Sequence, residues 1–305
     1  MQHIQFIPQS LVFMIMKQTF MRLSFALYFL LVFSRCGKDI PPPSYLVIDE
    51  FTLQANVDVD YGQLTHAFRD VYVYIDNQNY GVFPVPCTIP INLNGIHEIR
   101  LMPAVRKDGQ SGAKTRYPFV EHHIQSVNFM PLDSIFIQPI TKYYSTTQVW
   151  YEDFEDAAVQ IESSALSMMD MVKSNNPEIL TDRNGNFFGF IMLDVTNNIW
   201  DATTNANWTI NPGQNAYLEI DFYNTNPIQT GVRAQGPLGL NNWLHVLIVH
   251  QEPQEIEWKK MYIDLRPFVI AAGNGNIFKL IMSSILLENE TTSMVAIDNI
   301  KLVYR

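Results

Sequence analysis

Cysteine is almost missing from this 305-residue chain: Cys36 and Cys87 are the only two. With Cys36 acylated, as argued below, Cys87 stands alone, and an intrachain disulfide or a cysteine-based metal site is excluded. Histidine is scarce too, at seven. His122 and His123 are adjacent and His245 and His250 are five apart, so a regular strand sends each pair to opposite faces, and neither offers zinc spacing. Basic residues number 20 against 30 acidic ones. A nucleic-acid partner needs clustered Lys and Arg, and an acidic chain repels phosphate, so that class is excluded. Docking on anionic lipid by charge is disfavoured for the same reason. There is no Gly-x-Ser-x-Gly elbow, no Walker loop and no dinucleotide fingerprint. The Asn/Gly-rich stretches at 184–186 and 273–276 precede no helix start and read as turns, not phosphate cradles. The chain is therefore expected not to be an enzyme.

What the sequence does carry is an address. Leu23–Phe33 is an apolar run of eleven residues, preceded by Lys17 and Arg22, with no acidic residue from Met1 to Arg35. A membrane span needs about 20 apolar residues, so this run reads as a secretory signal. Ser34-Arg35-Cys36 follows, and Cys36 is the candidate lipid-attachment residue. Arg35 stands where such sites usually carry a small residue, and a plain secretory peptide that contains a cysteine is the alternative. Residues 36–44, with Pro41, Pro42 and Pro43, form the expected tether. Cleavage before Cys36 leaves 17 basic against 30 acidic residues, so an acyl chain rather than charge would hold the protein at a membrane.

Beyond the tether, strand signals dominate. Val71–Asp76 is rich in β-formers and stops at the turn former Asn77. Ile96–Leu101 alternates, with Ile99 and Leu101 opposite Glu98 and Arg100. Gly81, Pro84, Pro86 and Pro90 confine the segment between them to edge or turn geometry. Residues 45–140 read as one β-domain of the immunoglobulin-like or PEGA-like kind. From residue 145 to 305 further strands are expected at Phe187–Leu193, Tyr217–Tyr223, Leu244–Val249, Trp258–Leu265, Ile277–Ser283 and Met294–Val303. Seven or more strands with Asn/Gly/Pro loops fit a β-sandwich. Ala157–Lys173 has the Ala, Leu and Met content of a helix, although tertiary pairing can override that preference.

Several segments carry a resemblance. Asp153-Phe154-Glu155-Asp156, Ala216-Tyr217-Leu218-Glu219-Ile220-Asp221-Phe222, Trp258–Leu265 and Ile297-Asp298-Asn299-Ile300-Lys301-Leu302 resemble the jelly-roll domain of a Bacteroidota outer-membrane lipoprotein family. Tyr74-Ile75-Asp76-Asn77, Gly81-Val82-Phe83 and Val105–Gly109 fit its first domain. The resemblance covers nearly the whole mature chain. It implies an all-β fold, a PEGA- or immunoglobulin-like domain followed by a jelly-roll β-sandwich. It also implies an outer-membrane address, lipid-anchored and facing the exterior, for which Gly37-Lys38-Asp39 resembles the export signal. Its jelly roll is similar in fold to carbohydrate-binding modules.

Two clusters have the residue types for chemistry. Glu219-Ile220-Asp221 places two acids on one strand face, as in some β-sandwich glycosidases, but Asn224 stands where a third acid would act. The alternative is an outward polar face of a half-buried strand. Glu152, Asp153, Glu155 and Asp156, joined by Asp298 if first and last strands pair, offer oxygens for a structural calcium, with Glu155 and Asp298 the leading candidates; no other cofactor is called for. Trp208, Trp243, Trp258 and Tyr223 suit either core packing or stacking on a sugar. The expected role is an accessory or scaffold subunit bound to an outer-membrane protein; the alternative is a carbohydrate-binding surface lipoprotein. An exposed apolar patch would favour the first, and a groove with two or more solvent-facing rings the second.

Overall fold

Val71–Ile75 and Ile99–Leu101 alternate because one side of each strand meets a core, and the strands they start set the first half of the molecule. The computed structural model describes Lys17, residues 20–22, Ser24, and residues 41–181, 185–237 and 239–305. Ten strands occupy the first half: β1 (Ser44–Ile48), β2 (Thr52–Gln54), β3 (Asp70–Ile75), β4 (Gln78–Pro84), β5 (Cys87–Ile91), β6 (Gly95–Arg106), β7 (Lys114–Arg116), β8 (His123–Phe129), β9 (Ser134–Ile137) and β10 (Ile140–Lys142). One layer has the order β5-β1-β9 and continues as β10-β2. The other runs β4-β3-β6-β7, with β8 also on β6. Pro84 on β4 and Pro90 on β5 lie at sheet edges, where a missing N–H costs no ladder bond. β3 and β4 are joined by Asp76 and Asn77, both at positive φ (49° and 65°), which is the two-residue hairpin turn whose twist suits antiparallel strands. Ser44, expected in the tether, is the first residue of β1: its hydroxyl donates to the Ile91 carbonyl at 3.0 Å, and it is buried.

The second half holds β11 (Gln148–Glu152), β12 (Ile161–Ser163), β13 (Val172–Ser174), β14 (Phe188–Asp194), β15 (Ile199–Thr204), β16 (Ala216–Asn224), β17 (Ile228–Gly236), β18 (Gly239–Ile248), β19 (Lys259–Asp264), β20 (Ile277–Ile285) and β21 (Thr292–Tyr304). β14 to β21 are divided between two sheets, in orders β14-β21-β16-β19 and β15-β20-β17-β18, and the chain changes sheet at every step but the β17–β18 hairpin. That is jelly-roll winding. β13 and β11 extend the first sheet and β12 the second. Trp200, Leu218, Ile220, Ile263, Val295 and Ile297 fill the space between them. The fold is all-β, a two-layer first half followed by a jelly-roll sandwich, with a short helix at Arg266–Ala272. No helix among the described residues is long and apolar enough to cross a membrane.

Ala157–Lys173 forms β12 between turns, not a helix. Ile161 pairs with Thr204 and packs into the jelly-roll core, so tertiary burial outweighs local preference. The core of the first half takes in Tyr217, Tyr262 and Val303 from the second. The β6–β7 hairpin seals this junction. Lys107 bridges to Tyr262, Asp108 N–H donates to the Tyr262 carbonyl at 2.8 Å, and Asp264 N–H donates to Asp108 Oδ1 at 2.8 Å. The hairpin thus covers β19, which would otherwise be an open sheet edge.

Candidate functional site

β16 supplies the residues around which a site is built. Its alternation sends Leu218, Ile220 and Phe222 into the jelly-roll core. Glu219 and Asp221 point the other way, and a register shift between them on β21 marks a bulge. That opposite face meets the first half rather than water, so both acids are buried, 1 % and 2 % exposed. The expected outward polar strand face is corrected here: the strand is covered on both sides.

Cross-strand register brings cations to these acids. Asp221 pairs with Lys260 on β19, and Glu219 with Lys301 on β21. Lys260 Nζ lies 2.8 Å from Asp221 Oδ1 and 3.5 Å from Glu219 Oε2. Asn299 Nδ2 donates to Asp221 Oδ2 at 3.1 Å. From the first half, the hydroxyls of Tyr117 and Tyr143 both donate to Glu219 Oε1, the second at 3.2 Å. Lys301 Nζ donates to the Gln63 carbonyl, and Ala67 N–H donates to the Tyr262 hydroxyl at 2.8 Å. Burial, with the charge of Glu219 beside them, pushes the Tyr117, Tyr143 and Tyr262 hydroxyls well above the usual phenol range. Burial also brings Lys301 down to about 8, against the pull of Glu219. The two acids are therefore held by a shared lysine and by tyrosines. A glycosidase needs one carboxylate free as nucleophile or base and another to donate a proton across an open cleft; this pair is closed to a substrate. The network ties the two halves together.

Beside it lies a hollow of about 190 Å³ lined by Ala67, Arg69, Arg106, Lys259, Lys260 and Tyr262. A neighbouring hollow shares Arg69 and Arg106 and adds Glu50 and His66. Burial, and then Lys260, lower the His66 pKa, which keeps its ring neutral. Arg106 Nε is 3.2 Å from the buried Asp70, which Lys114 also reaches at 2.6 Å. This is a basic lining on an acidic chain.

The outer surface of the second jelly-roll sheet differs. On β18, Leu240, Leu244 and Leu247 are all more than half exposed, and Ile277 of β20 lies in the same row as Leu240 through Gln235. β18 pairs only with β17 among the described residues and ends its sheet. No aromatic ring stands among these outward residues. Trp200 and Trp208 are buried, and Trp150, Trp243 and Trp258 are half-buried. Trp208 packs edge-on to Trp150, and Trp258 donates to the Ile179 carbonyl at 2.6 Å while Tyr223 tilts over it. The core-packing alternative holds for these rings.

Of the other expected site residues, Cys36 lies outside the described residues. Glu155 pins the loop after residue 184: its carboxylate accepts from the N–H groups of Asn186 (2.7 Å) and Phe187 (3.0 Å). Asp298 is fully buried on β21, opposite Asp221 in register, and its Oδ1 accepts from Asn299 N–H at 2.7 Å. Glu152 is spent on the N–H groups of Phe154 and Gln160. The first and last strands do pair, β11 on β21. Even so, no group of three or more His, Cys, Asp or Glu side chains able to hold a metal occurs among the described residues. Sequence reasoning missed Lys260, Lys301, Tyr117 and Tyr143. Lys301 was visible as a cation between Ile300 and Leu302, where a charge implies a buried partner; Lys260, beside Lys259 on a strand that also holds Asp264, carried no such signal.

No protein-family model matches this chain, and no curated protein matches it. Solved structures do. A carbohydrate-binding module of the β-sandwich superfamily aligns at 11 % identity over 76 % of this chain and 84 % of its own, with a TM-score of 0.34. The family 11 carbohydrate-binding module of a cellulosomal cellulase of Clostridium thermocellum aligns at 12 % identity over 50 % and 93 %, TM-score 0.33. A module specific for non-crystalline cellulose aligns at 12 % identity over 48 % and 90 %, TM-score 0.35.

Proposed function

We propose that this chain is a non-catalytic lipoprotein of the bacterial outer membrane, held through Cys36 and facing the exterior, whose jelly roll docks a protein partner along β18. The observation that carries the docking is the exposed aliphatic row Leu240, Leu244 and Leu247 on a strand with one free edge. A free edge offers unpaired N–H and C=O groups, and alternate side chains on it offer specificity to an added strand. The closed Glu219–Asp221 pair supports the absence of catalysis. Tagged, acylated protein recovered from outer membranes is expected to bring down one protein at stoichiometric yield, and Leu240→Ser, Leu244→Ser and Leu247→Ser together to release it. Equal recovery by the triple variant would overturn the reading.

A second reading, carbohydrate binding, has one observation in its favour: the hollow at the junction of the two halves with Arg69, Arg106 and Lys259 on its wall. Guanidinium groups pair with carboxylates in bidentate fashion, which suits an acidic sugar. Retention on an acidic polysaccharide column that is lost in Arg69→Ala would favour this reading over the first.

A further inference from the structure

Leu132 is held at φ 68° in the turn between β8 and β9. The turn is Met130-Pro131-Leu132-Asp133, closed by Asp133 N–H donating to the Met130 carbonyl at 3.1 Å. Proline pre-sets the first central position of such a turn, and the second calls for glycine or asparagine, because a Cβ is disfavoured at positive φ. A leucine there stores backbone strain. It is also 71 % exposed, so the strain is not repaid by burial within the fold. Met130 is half exposed beside it, and Ile96 is 78 % exposed. Ile96 pairs with Asn128, two residues before Met130, so the three aliphatic side chains lie at one end of the β6–β8 pair.

This is the end at which the chain enters the fold. Tyr45 N–H donates to the Asp133 carbonyl at 2.8 Å, one residue from Leu132. Eight peptide steps separate Ser44 from Cys36, so a lipid on Cys36 holds this turn within about 28 Å of its membrane. The nearby charges are Asp133 and the Asp76–His97 ion pair, which together give no excess of positive charge, so the fitting surface is an uncharged lipid face rather than an anionic one. We propose that Met130, Leu132 and Ile96 form a shallow second membrane contact that seats the first half on zwitterionic lipid beside the anchor. The setting rests on the lipoprotein reading; the test does not.

The test uses the mature chain from residue 36 with Cys36→Ser and vesicles of phosphatidylcholine. The wild-type tip is expected to bring the protein down with vesicles. Ile96→Ser, Met130→Ser and Leu132→Ser together are expected to weaken that partition about 10-fold or more. Leu132→Gly separates strain from contact: its melting temperature should be equal or higher, yet its partition lower. Partition that is absent in the wild-type tip, or equal in the triple variant, overturns the inference. Palmitate labelling of cells reports on Cys36 alone, so labelled protein with tip-independent partition sinks this contact and spares the anchor, and the converse result does the opposite.

Discussion

At the residue scale, Lys301 is the least comfortable group described. Its ammonium is buried on β21, donates to the Gln63 carbonyl, and has its pKa brought down to about 8 by burial. The sign of its effect on stability follows from proton counting. Below pH 8 folded and unfolded chains both hold the proton, and the full cost of burying the charge is present. Between pH 8 and the unfolded value of 10.5 the unfolded chain binds more protons than the folded one, so stability rises with pH. Tyr117, Tyr143 and Tyr262 act oppositely above pH 10: they stay neutral in the fold and ionise once unfolded, so stability falls there. The melting temperature is expected to climb from pH 8 towards 10 and drop beyond. In Lys301→Met the climb should vanish. A wild-type profile that is flat or falling from pH 8 to 10 would contradict the assignment.

At the element scale, the hairpin of β17 and β18 separates what a strand needs from what its surface does. The register shifts between Gln229 and Gly231 on β17. A Cβ at Gly231 would sit 2.2 Å from the Trp243 carbonyl oxygen, a backbone atom no rotamer change can move. Gly231→Ala should therefore cost about 1–3 kcal/mol in urea unfolding and misplace Leu244. Leu244→Ser, on an exposed side chain, should stay within about 0.5 kcal/mol of wild type while losing the partner. Equal stability for the two variants would refute the bulge argument. The same hairpin shows where sequence reading stops. β16, β19, β20 and β21 were legible because apolar residues recur at every second position. β17 carries the same period, with Ile228, Val232 and Ala234 inward against Gln229, Arg233 and Gln235 outward; Thr230 on its inner side and the glycines Gly231 and Gly236 dilute the apolar signal, so it is the strand least visible in the sequence. For β16 the period was read correctly and its meaning was not. Alternation reports that two faces differ, not that the polar one is wet, and the cover comes from Tyr117 and Tyr143, more than seventy residues earlier in the chain.

At the scale of the whole molecule, the strands divide cleanly between β10 and β11, yet the interior does not. Tyr217, Tyr262 and Val303 of the jelly roll complete the core of the first half. Glu219 takes hydroxyl donors from Tyr117 and Tyr143, and Lys301 takes its carbonyl from Gln63, so each side satisfies buried polar groups of the other. A buried charge whose partners are removed costs about 3–5 kcal/mol, a large share of the 5–15 kcal/mol that typically holds a domain. Neither half can then unfold without exposing the other to that cost. Calorimetry of residues 41–305 is expected to show one transition, with calorimetric and van't Hoff enthalpies equal. The jelly roll alone, residues 145–305, is expected to express as an aggregating chain, because truncation bares Tyr217, Tyr262 and Val303 along with the two acids. Glu219→Gln in the full chain weakens the same seam without cutting it. It should lower the single melting temperature if the halves are coupled through this network, and split the transition in two if they are coupled through it alone. Two transitions in the wild-type chain, or a soluble jelly roll melting as high as the whole, would show that the seam holds nothing and that each half stands on its own core.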